Sequence, residues 1–93
     1  MKAQLQQQPL SSYVHGSYST FNRYRGGIYD DTKCGEYLDH AITIVGWGNQ
    51  PTEYWLIRNS WGTSWGEQGY MRMWITGGNG ICGVQKQPEY PIV

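Results

Sequence analysis

Three short runs rich in β-branched and aromatic residues constrain the fold of this chain most strongly. They cover residues 41–45, 54–59 and 70–75. Each run is short, apolar or alternating, and bounded by turn-forming residues, which is typical of strands. The turn at 49–52 predicts that the first two runs pair as an antiparallel hairpin. The expected fold is therefore mainly β, an antiparallel sheet that resembles a partly open barrel.

The segments on the N-terminal side of these runs carry weaker signals of secondary structure. Residues 1–8 favour helix, and Pro9 ends it because proline disfavours helix in the residue before it. We read 1–8 as a short helical remnant. A short strand is expected over 10–16, and 25–29 is read as a turn into another extended piece. No helical periodicity appears after Pro9, and Gly46 is expected to close the strand at 41–45.

Composition indicates one small domain with an aromatic core. The chain has 93 residues, 39% of them hydrophobic, with five Trp, eight Tyr and 13 Gly. Each buried ring removes a large area from water, so a few residues can fill a core. Glycine suits tight turns better than helices, which again favours a β-rich domain.

Charge and hydropathy argue against two classes of partner. The formal net charge is zero and the basic residues are scattered, whereas nucleic-acid-binding proteins carry a basic face or stripe. No apolar run approaches the roughly 18 residues that span a bilayer. We expect neither a nucleic-acid nor a membrane partner. The two cysteines, Cys34 and Cys82, lie far apart without a Cys-x-x-Cys motif, and two cysteines alone leave thiols and a disulfide equally open.

A histidine and an asparagine are expected to meet at one edge of the sheet. His40 precedes the strand at 41–45 and Asn59 closes the strand at 54–59, so antiparallel pairing brings both side chains to the same edge. Trp61, two residues further on, is placed to cover them. A thiol protease needs this arrangement, because an imidazolium keeps the nucleophilic thiolate ionised while a neutral amide fixes the ring without adding charge.

Five stretches of the sequence resemble the C-terminal domain of the papain family of cysteine proteases, which includes the cathepsins. They are Leu-Asp-His-Ala at 38–41, Gly-Trp-Gly at 46–48, Tyr-Trp-Leu-Ile-Arg-Asn-Ser-Trp-Gly at 54–62, Trp-Gly-Glu-Gln-Gly-Tyr at 65–70 and Ile-Cys-Gly at 81–83. The resemblance covers nearly the whole chain. It implies that residues 1–93 form the barrel-like half of the papain-like α+β fold and that the N-terminal half, which carries the nucleophilic cysteine, is absent.

The resemblance assigns a role to each matching residue. His40 resembles the catalytic histidine, Asn59 the asparagine that orients it, and Trp61 the tryptophan that shields their hydrogen bond. Trp65 resembles a tryptophan beside the leaving-group site and is expected to face a cleft. The remaining expected substrate-binding residues are Tyr13, Leu38, Asp39, Ala41 and Gln87, with Tyr13 and Gln87 at the main specificity pocket.

The cysteines also acquire a role through the resemblance, which implies a structural disulfide between Cys34 and Cys82. It further implies an oxidising location, either lysosomal or vacuolar or secreted. Neither a cofactor nor a metal is implied. The expected partners are the N-terminal half-domain with its Gln…Cys-Trp segment, peptide or protein substrates, and protein inhibitors of cysteine proteases.

Several alternatives stay open or are weighed against this interpretation. The chain could be a protease-like binding or structural fragment without a nucleophile, or a fragment with no function of its own. Endopeptidase action is expected, although Gly-Trp-Gly and the closing Pro-Ile-Val resemble the carboxypeptidase branch of cathepsin X. His15 is read as structural and Glu67 as a solvated or turn-bonded carboxylate. A zinc site formed by His15, Cys34, His40 and Cys82 would need unrelated loops to converge, which is improbable.

Overall fold

A single five-stranded sheet dominates the computed structural model, which describes residues 9–86. The elements, in chain order, are β1 (Leu10–Val14), α1 (Ser19–Asn22), β2 (Ile28–Tyr29), β3 (His40–Gly48), β4 (Tyr54–Arg58), β5 (Tyr70–Trp74) and a 3₁₀ turn (Ile81–Gly83). The spatial order of the strands is β1-β3-β4-β5-β2. The mainly β, barrel-like fold is confirmed; within the described residues β1 and β2 remain the edges of the sheet, which does not close.

The central strands pair as the sequence predicts. β3 and β4 are antiparallel and joined by the turn that contains Pro51, with Thr43 opposite Arg58. β4 and β5 are also antiparallel, and β1 pairs antiparallel with β3. β2 is the exception, because it lies parallel to β5. The sheet is therefore not purely antiparallel.

The core lies on one face of the sheet and follows the strand alternation. Ile42 and Ile44 of β3 point into it, as do Ile57 of β4 and Met71 and Met73 of β5. The other large buried side chains include the rings Phe21, Tyr24, Tyr29, Trp55 and Trp65. The expected aromatic core is therefore only part of the core, because aliphatic and sulfur-containing side chains outnumber the rings among the buried residues that the structure describes.

Two local predictions were wrong. A one-turn helix, Ser19–Asn22, follows β1, although no helix was predicted after Pro9. A single turn offers no repeated periodicity to detect, and it forms because Phe21 is wholly buried against the core. Gly46 does not close β3, which continues to Gly48 through an irregular pairing between Ile44 and Gly46. A glycine inside a strand accommodates such a bulge.

A disulfide joins the loop before β3 to the 3₁₀ turn. Cys34 and Cys82 are bonded, and both are buried. The 48-residue separation encloses most of the sheet. In the chain-entropy account a loop of this length stabilises the fold by about 4 kcal/mol. The bridge therefore anchors the segment that leads to His40.

The expected helix over 1–8 and the residue Gln87 lie outside the described residues. Among the helices in the described part of the chain, none is long and apolar enough to cross a membrane.

Candidate active site

The pairing of β3 with its two neighbours places His40 and Asn59 side by side. His40 is the first residue of β3, and Asn59 directly follows β4. The Nε2 atom of His40 lies 2.8 Å from Oδ1 of Asn59. Asn59 is largely buried, and its backbone N–H donates to the carbonyl of Gly69, which fixes the backbone at this position. The edge arrangement expected from the strand order is thus present.

The hydrogen bonds of Asn59 determine which ring nitrogen of His40 carries a proton. The backbone N–H of Ser60 donates to the same Oδ1 atom at 2.7 Å. An N–H can only donate, so the atom facing His40 is the amide oxygen, which can only accept. Nε2 of His40 must therefore carry a hydrogen. In the neutral ring Nδ1 is then the unprotonated nitrogen, available to a nucleophile or leaving group.

Trp61 lies over this pair. Its ring stacks on the imidazole of His40, with centroids 4.5 Å apart and an interplanar angle of 24°. One face of the indole remains accessible, because Trp61 is 36% exposed. A ring in this position excludes water from one side of the His40–Asn59 hydrogen bond, and a lower local dielectric strengthens that bond.

A tight turn after β1 supports His40 from behind. A Cβ atom on Gly16 would lie 2.6 Å from Cβ of His40, so only glycine allows the turn to approach this closely. Asp39 holds the turn in place, since its Oδ1 atom accepts the backbone N–H of Gly16 at 2.8 Å. The Ser17 hydroxyl, together with the N–H groups of Gly16 and Ser17, keeps the pKa of the Asp39 carboxyl below its ordinary value.

Comparison with known proteins identifies the family of this chain. The family model described as papain family cysteine protease matches residues 1–92. The chain belongs to the papain family of cysteine proteases. Among the relatives, the senescence-specific cysteine protease SAG39 of Oryza sativa is 46% identical over 88 residues, which are 90% of this chain and 26% of that protein. The cysteine proteinase RD21A of Arabidopsis thaliana is 42% identical over 95 residues, covering 99% of this chain and 20% of that protein.

Solved structures of the papain family share the fold. The cysteine protease CMS1MS2 of Carica candamarcensis, solved in complex with E-64, superposes with a TM-score of 0.84 at 43% identity. The match covers 94% of this chain and 40% of that one. The chain thus spans about a quarter of the curated relatives it matches and less than half of the solved protease.

The residues expected to bind substrate lie in two groups around His40. Tyr13 of β1 and Ala41 of β3 are paired directly across the strands, one residue from the Val14–His40 pair. Leu38 is half-buried and lies by the 3₁₀ turn, where a Cβ on Gly83 would come within 2.9 Å of its Cδ2 atom. The sheet thus brings Tyr13, Ala41 and His40 together. Gln87 lies outside the described residues, so the far end of the specificity pocket stays a prediction.

Trp65 is mostly buried, and its expected position beside the leaving-group site stays a prediction. Its ring is 8% exposed and packs on Phe21 and Tyr24 with centroids 5.5 and 5.4 Å away. Its Nε1–H group donates to the carbonyl oxygens of Phe21 and Asn22. Trp65 therefore works as a core residue in this chain, and it reaches His40 only through an edge contact with Trp61.

The sequence interpretation missed two features of the site. Gly16 was predicted only as the end of a strand, and glycine at that point was the sole signal of its close approach to His40. The second feature is a surface pocket of about 310 Å³ beside Asn59 and Ala41, lined also by Thr43, Arg58 and Ser60. Thr43 lies on β3, Arg58 ends β4 and Ser60 follows it, but no motif distinguishes them from ordinary surface residues.

The remaining candidate residues have structural roles. Glu67 accepts two hydrogen bonds from Arg72, at 2.9 and 2.7 Å, and one from the backbone of Gly27. Arg72 holds the pKa of Glu67 below its ordinary value, so this carboxyl is an ion-paired turn residue. Cys34 and Cys82 are consumed by the disulfide, and no group of His, Cys, Asp and Glu within 9–86 could hold a metal ion.

Proposed function

We propose that this chain is the histidine-bearing part of a cysteine-type peptidase, and that a separate segment supplies the nucleophilic cysteine. The observation that carries the proposal is the His40 Nε2–Asn59 Oδ1 hydrogen bond of 2.8 Å beneath the ring of Trp61. In this role His40 is the general acid and base, and Asn59 orients it. The reaction is hydrolysis of peptide bonds in peptide or protein substrates.

The hydrogen-bonding pattern supports a complete proton cycle at Nδ1 of His40. With Nε2–H committed to Asn59, Nδ1 takes the thiol proton and forms the imidazolium that keeps the thiolate ionised. The thiolate attacks the carbonyl carbon, and the carbon–nitrogen bond breaks as Nδ1 returns the proton to the leaving amine. A water molecule then attacks the thioester and transfers its proton to Nδ1. The thiolate leaves, and the acid product is released.

The isolated chain is expected to hydrolyse nothing. Both of its cysteines form the disulfide, so the His40–Asn59 pair has no thiol to activate. In the completed enzyme we expect endopeptidase action, with Leu38, Asp39, Ala41 and Tyr13 bordering the bound peptide. The N-terminal half-domain is the obligatory partner, and protein inhibitors of cysteine proteases would compete for the same cleft. A disulfide of this kind suits an oxidising compartment, whether lysosomal, vacuolar or extracellular.

A second candidate function follows from the same disulfide. Without a free thiol, the chain could serve as a protease-like binding or structural fragment, if the segment joined to it carries Ser or Gly where the nucleophile belongs. The two functions make opposite predictions about turnover.

Reconstitution tests the proposal. The parent reading frame is expressed whole, or its N-terminal segment is refolded with this chain, and hydrolysis of a peptide amide is measured with and without a thiol alkylating agent. We expect turnover that the alkylating agent abolishes and that is absent from this chain alone. A parent that folds and binds peptides but shows no thiol-dependent turnover would refute the peptidase function and support the binding function.

A further inference from the structure

A small basic pocket lies between the end of α1 and the loop that carries Trp65. It encloses about 190 Å³ and is lined by Asn22, Arg23, Tyr24, Arg25, Ser64 and Trp65. Neither arginine lines the pocket beside Asn59 and Ala41. Two guanidinium groups, a hydroxyl and a side-chain amide can all donate hydrogen bonds, which makes the pocket suited to an anion.

The backbone of this pocket is held by hydrogen bonds from both of its sides. Nε1–H of Trp65 donates to the carbonyls of Phe21 and Asn22, at 3.3 and 3.1 Å. The backbone N–H of Gly66 donates to the carbonyl of Tyr24 at 3.1 Å. The two arginines therefore extend from a segment that is tied to the Trp65 loop rather than from a free surface turn. A fixed backbone lowers the ordering cost of binding a ligand between them.

The positive charge of the pocket is not neutralised within the described part of the chain. Neither Arg23 nor Arg25 forms an ion pair there, and both side chains are exposed. The acidic group that contacts the adjoining turn is Glu67, which accepts the N–H of Gly27. Glu67 is already engaged by Arg72 through both carboxylate oxygens, so its charge is balanced. Two uncompensated guanidinium groups remain.

Two ring contacts connect His40 with a wall of the pocket. The His40 ring contacts Trp61 at 4.5 Å, and Trp61 contacts Trp65 at 5.5 Å, a path about as long as three residues of extended peptide. Trp65 is itself a wall of the pocket. A peptide crossing Trp61 away from His40 would therefore place a side chain near the two arginines a few residues from the bond being cut.

We propose that Arg23 and Arg25 form an anionic-side-chain subsite that selects peptides bearing Asp or Glu about three residues from the scissile bond. The inference rests on the proposed function for its biological meaning. The guanidinium fork matches a carboxylate in two parallel hydrogen bonds, so the subsite prefers a carboxylate to the isosteric amide.

A binding experiment tests the subsite without requiring turnover. The 93-residue chain, labelled with ¹⁵N, is titrated with acetyl-Glu-Gly-Glu-amide and with its neutral twin acetyl-Gln-Gly-Gln-amide. We expect the acidic peptide to shift the side-chain Nε–H resonances of Arg23 and Arg25 saturably, with affinity that falls as salt is added. The neutral peptide should bind about tenfold more weakly, as two exposed charge pairs allow.

Matched variants separate this pocket from a general charge effect. Arg23→Gln with Arg25→Gln should weaken binding of the acidic peptide by about tenfold, to the level of its neutral twin. Lys33→Gln removes one exposed positive charge from the loop after β2 and should leave the affinity within about twofold. Equal binding of the two peptides, or equal loss in the Lys33 variant, would overturn the proposal. So would sodium acetate that shifts the same resonances with the same midpoint, since the pocket would then bind any anion.

Turnover by the completed enzyme distinguishes failure of the subsite from failure of the proposed function. Substrates with Glu three residues from the scissile bond are compared with their Gln analogues, with the acidic residue placed on either side of that bond. On one of the two sides Glu should raise kcat/KM about three- to tenfold over Gln, a preference that Arg23→Gln with Arg25→Gln abolishes. Thiol-dependent turnover with no such preference overturns the subsite alone. Selective peptide binding in an enzyme without turnover overturns the peptidase function and leaves the pocket as a binding site.

Discussion

The Ser-Trp-Gly triplet occurs twice within seven residues, and its two tryptophans do different work. Trp61, in the first copy, is 36% exposed and stacks on His40. Trp65, in the second copy, is 8% exposed and donates its indole N–H into the core. The two rings touch edge to face, with centroids 5.5 Å apart. One copy thus contributes to the sheet edge that carries His40 and Asn59, and the other anchors the neighbouring loop.

The glycine of each copy shows the same contrast. Gly62 and Gly66 both have positive φ, at 89° and 59°. A Cβ at Gly62 would meet no atom within 4 Å, whereas at Gly66 it would lie 2.6 Å from the carbonyl oxygen of Tyr70. The glycine of the second copy is therefore closely packed, and that of the first has open space. A repeated motif sets the backbone conformation, but the neighbouring elements decide whether its side chain is structural or functional.

The largest expected effect is the loss of activity when His40 is substituted. In the completed enzyme, His40→Ala should lower kcat by roughly three decades or more at neutral pH, since it removes both the general acid and the partner of the thiolate. The free energy of unfolding should change little, because His40 is only half-buried. Steady-state kinetics and denaturant unfolding of the same preparation measure both. A kcat/KM within about threefold of the parent, a barrier change of about 0.7 kcal/mol, would end the catalytic interpretation.

Trp65→Ala should show the opposite pattern. Loss of a buried ring that contacts Phe21 and Tyr24 should lower the free energy of unfolding by about 3–4 kcal/mol. Trp61→Ala is the matched control and should cost less stability than Trp65→Ala, because Trp61 is 36% exposed and Trp65 only 8%. Urea unfolding followed by circular dichroism makes the comparison. Equal stability losses in the two variants would remove the distinction between the two copies.

A smaller loss of activity is expected for variants that disturb only the orientation of His40. Asn59→Ala should lower kcat by roughly one to two decades, since a lost orienting hydrogen bond costs a few kcal/mol at most. Trp61→Ala should lower kcat by a similar factor if its work is to shield that bond. Kinetics of the two variants and of the double variant would check this. A folded Asn59→Ala enzyme as impaired as His40→Ala would contradict the orienting role.

The smallest expected effect is a pH-dependent change in stability at Glu67, which directly follows the second copy. The pKa of Glu67 is lowered in the fold by Arg72, so its contribution to stability is present above its unfolded pKa of about 4.3 and is lost as pH falls further. Glu67→Gln should therefore cost about 1 kcal/mol at pH 7 and progressively less below pH 4. Denaturant unfolding at pH 7 and pH 3 measures it. Asp30→Asn, an exposed carboxylate without an ion pair among the described residues, should cost little at either pH. A Glu67→Gln cost that stays constant with pH would show that its charge is not what stabilises the turn.

The strands and the His40–Asn59 pair could be predicted because each rests on local chemistry. β-branched and aromatic runs favour strands, and the hairpin turn at Pro51 fixes which strands pair. The helix Ser19–Asn22 and the parallel pairing of β2 could not be predicted in this way. Both depend on what Phe21 and Tyr29 are buried against, which is a property of the assembled core.

The candidate site also has residues that the sequence identifies and contacts that it does not. The motif identifies His40, Asn59 and Trp61, whose contacts are made within and beside one hairpin. It does not show that the ring of Trp65 packs on Phe21 of α1, because that contact depends on the assembled core. The sequence contains no signal for the basic pocket. The positions of its two arginines depend on the same packing of α1, and no repeated spacing marks them.

The pH dependence of thiol alkylation in the completed enzyme tests the central claim most directly. If the nucleophile pairs with His40, iodoacetamide should inactivate the parent rapidly even near pH 5, because the imidazolium keeps the thiolate ionised. His40→Ala should move the rate to the profile of an ordinary thiol, with a midpoint of about 8.5. Identical pH profiles for the parent and His40→Ala, in folded protein, would contradict the account.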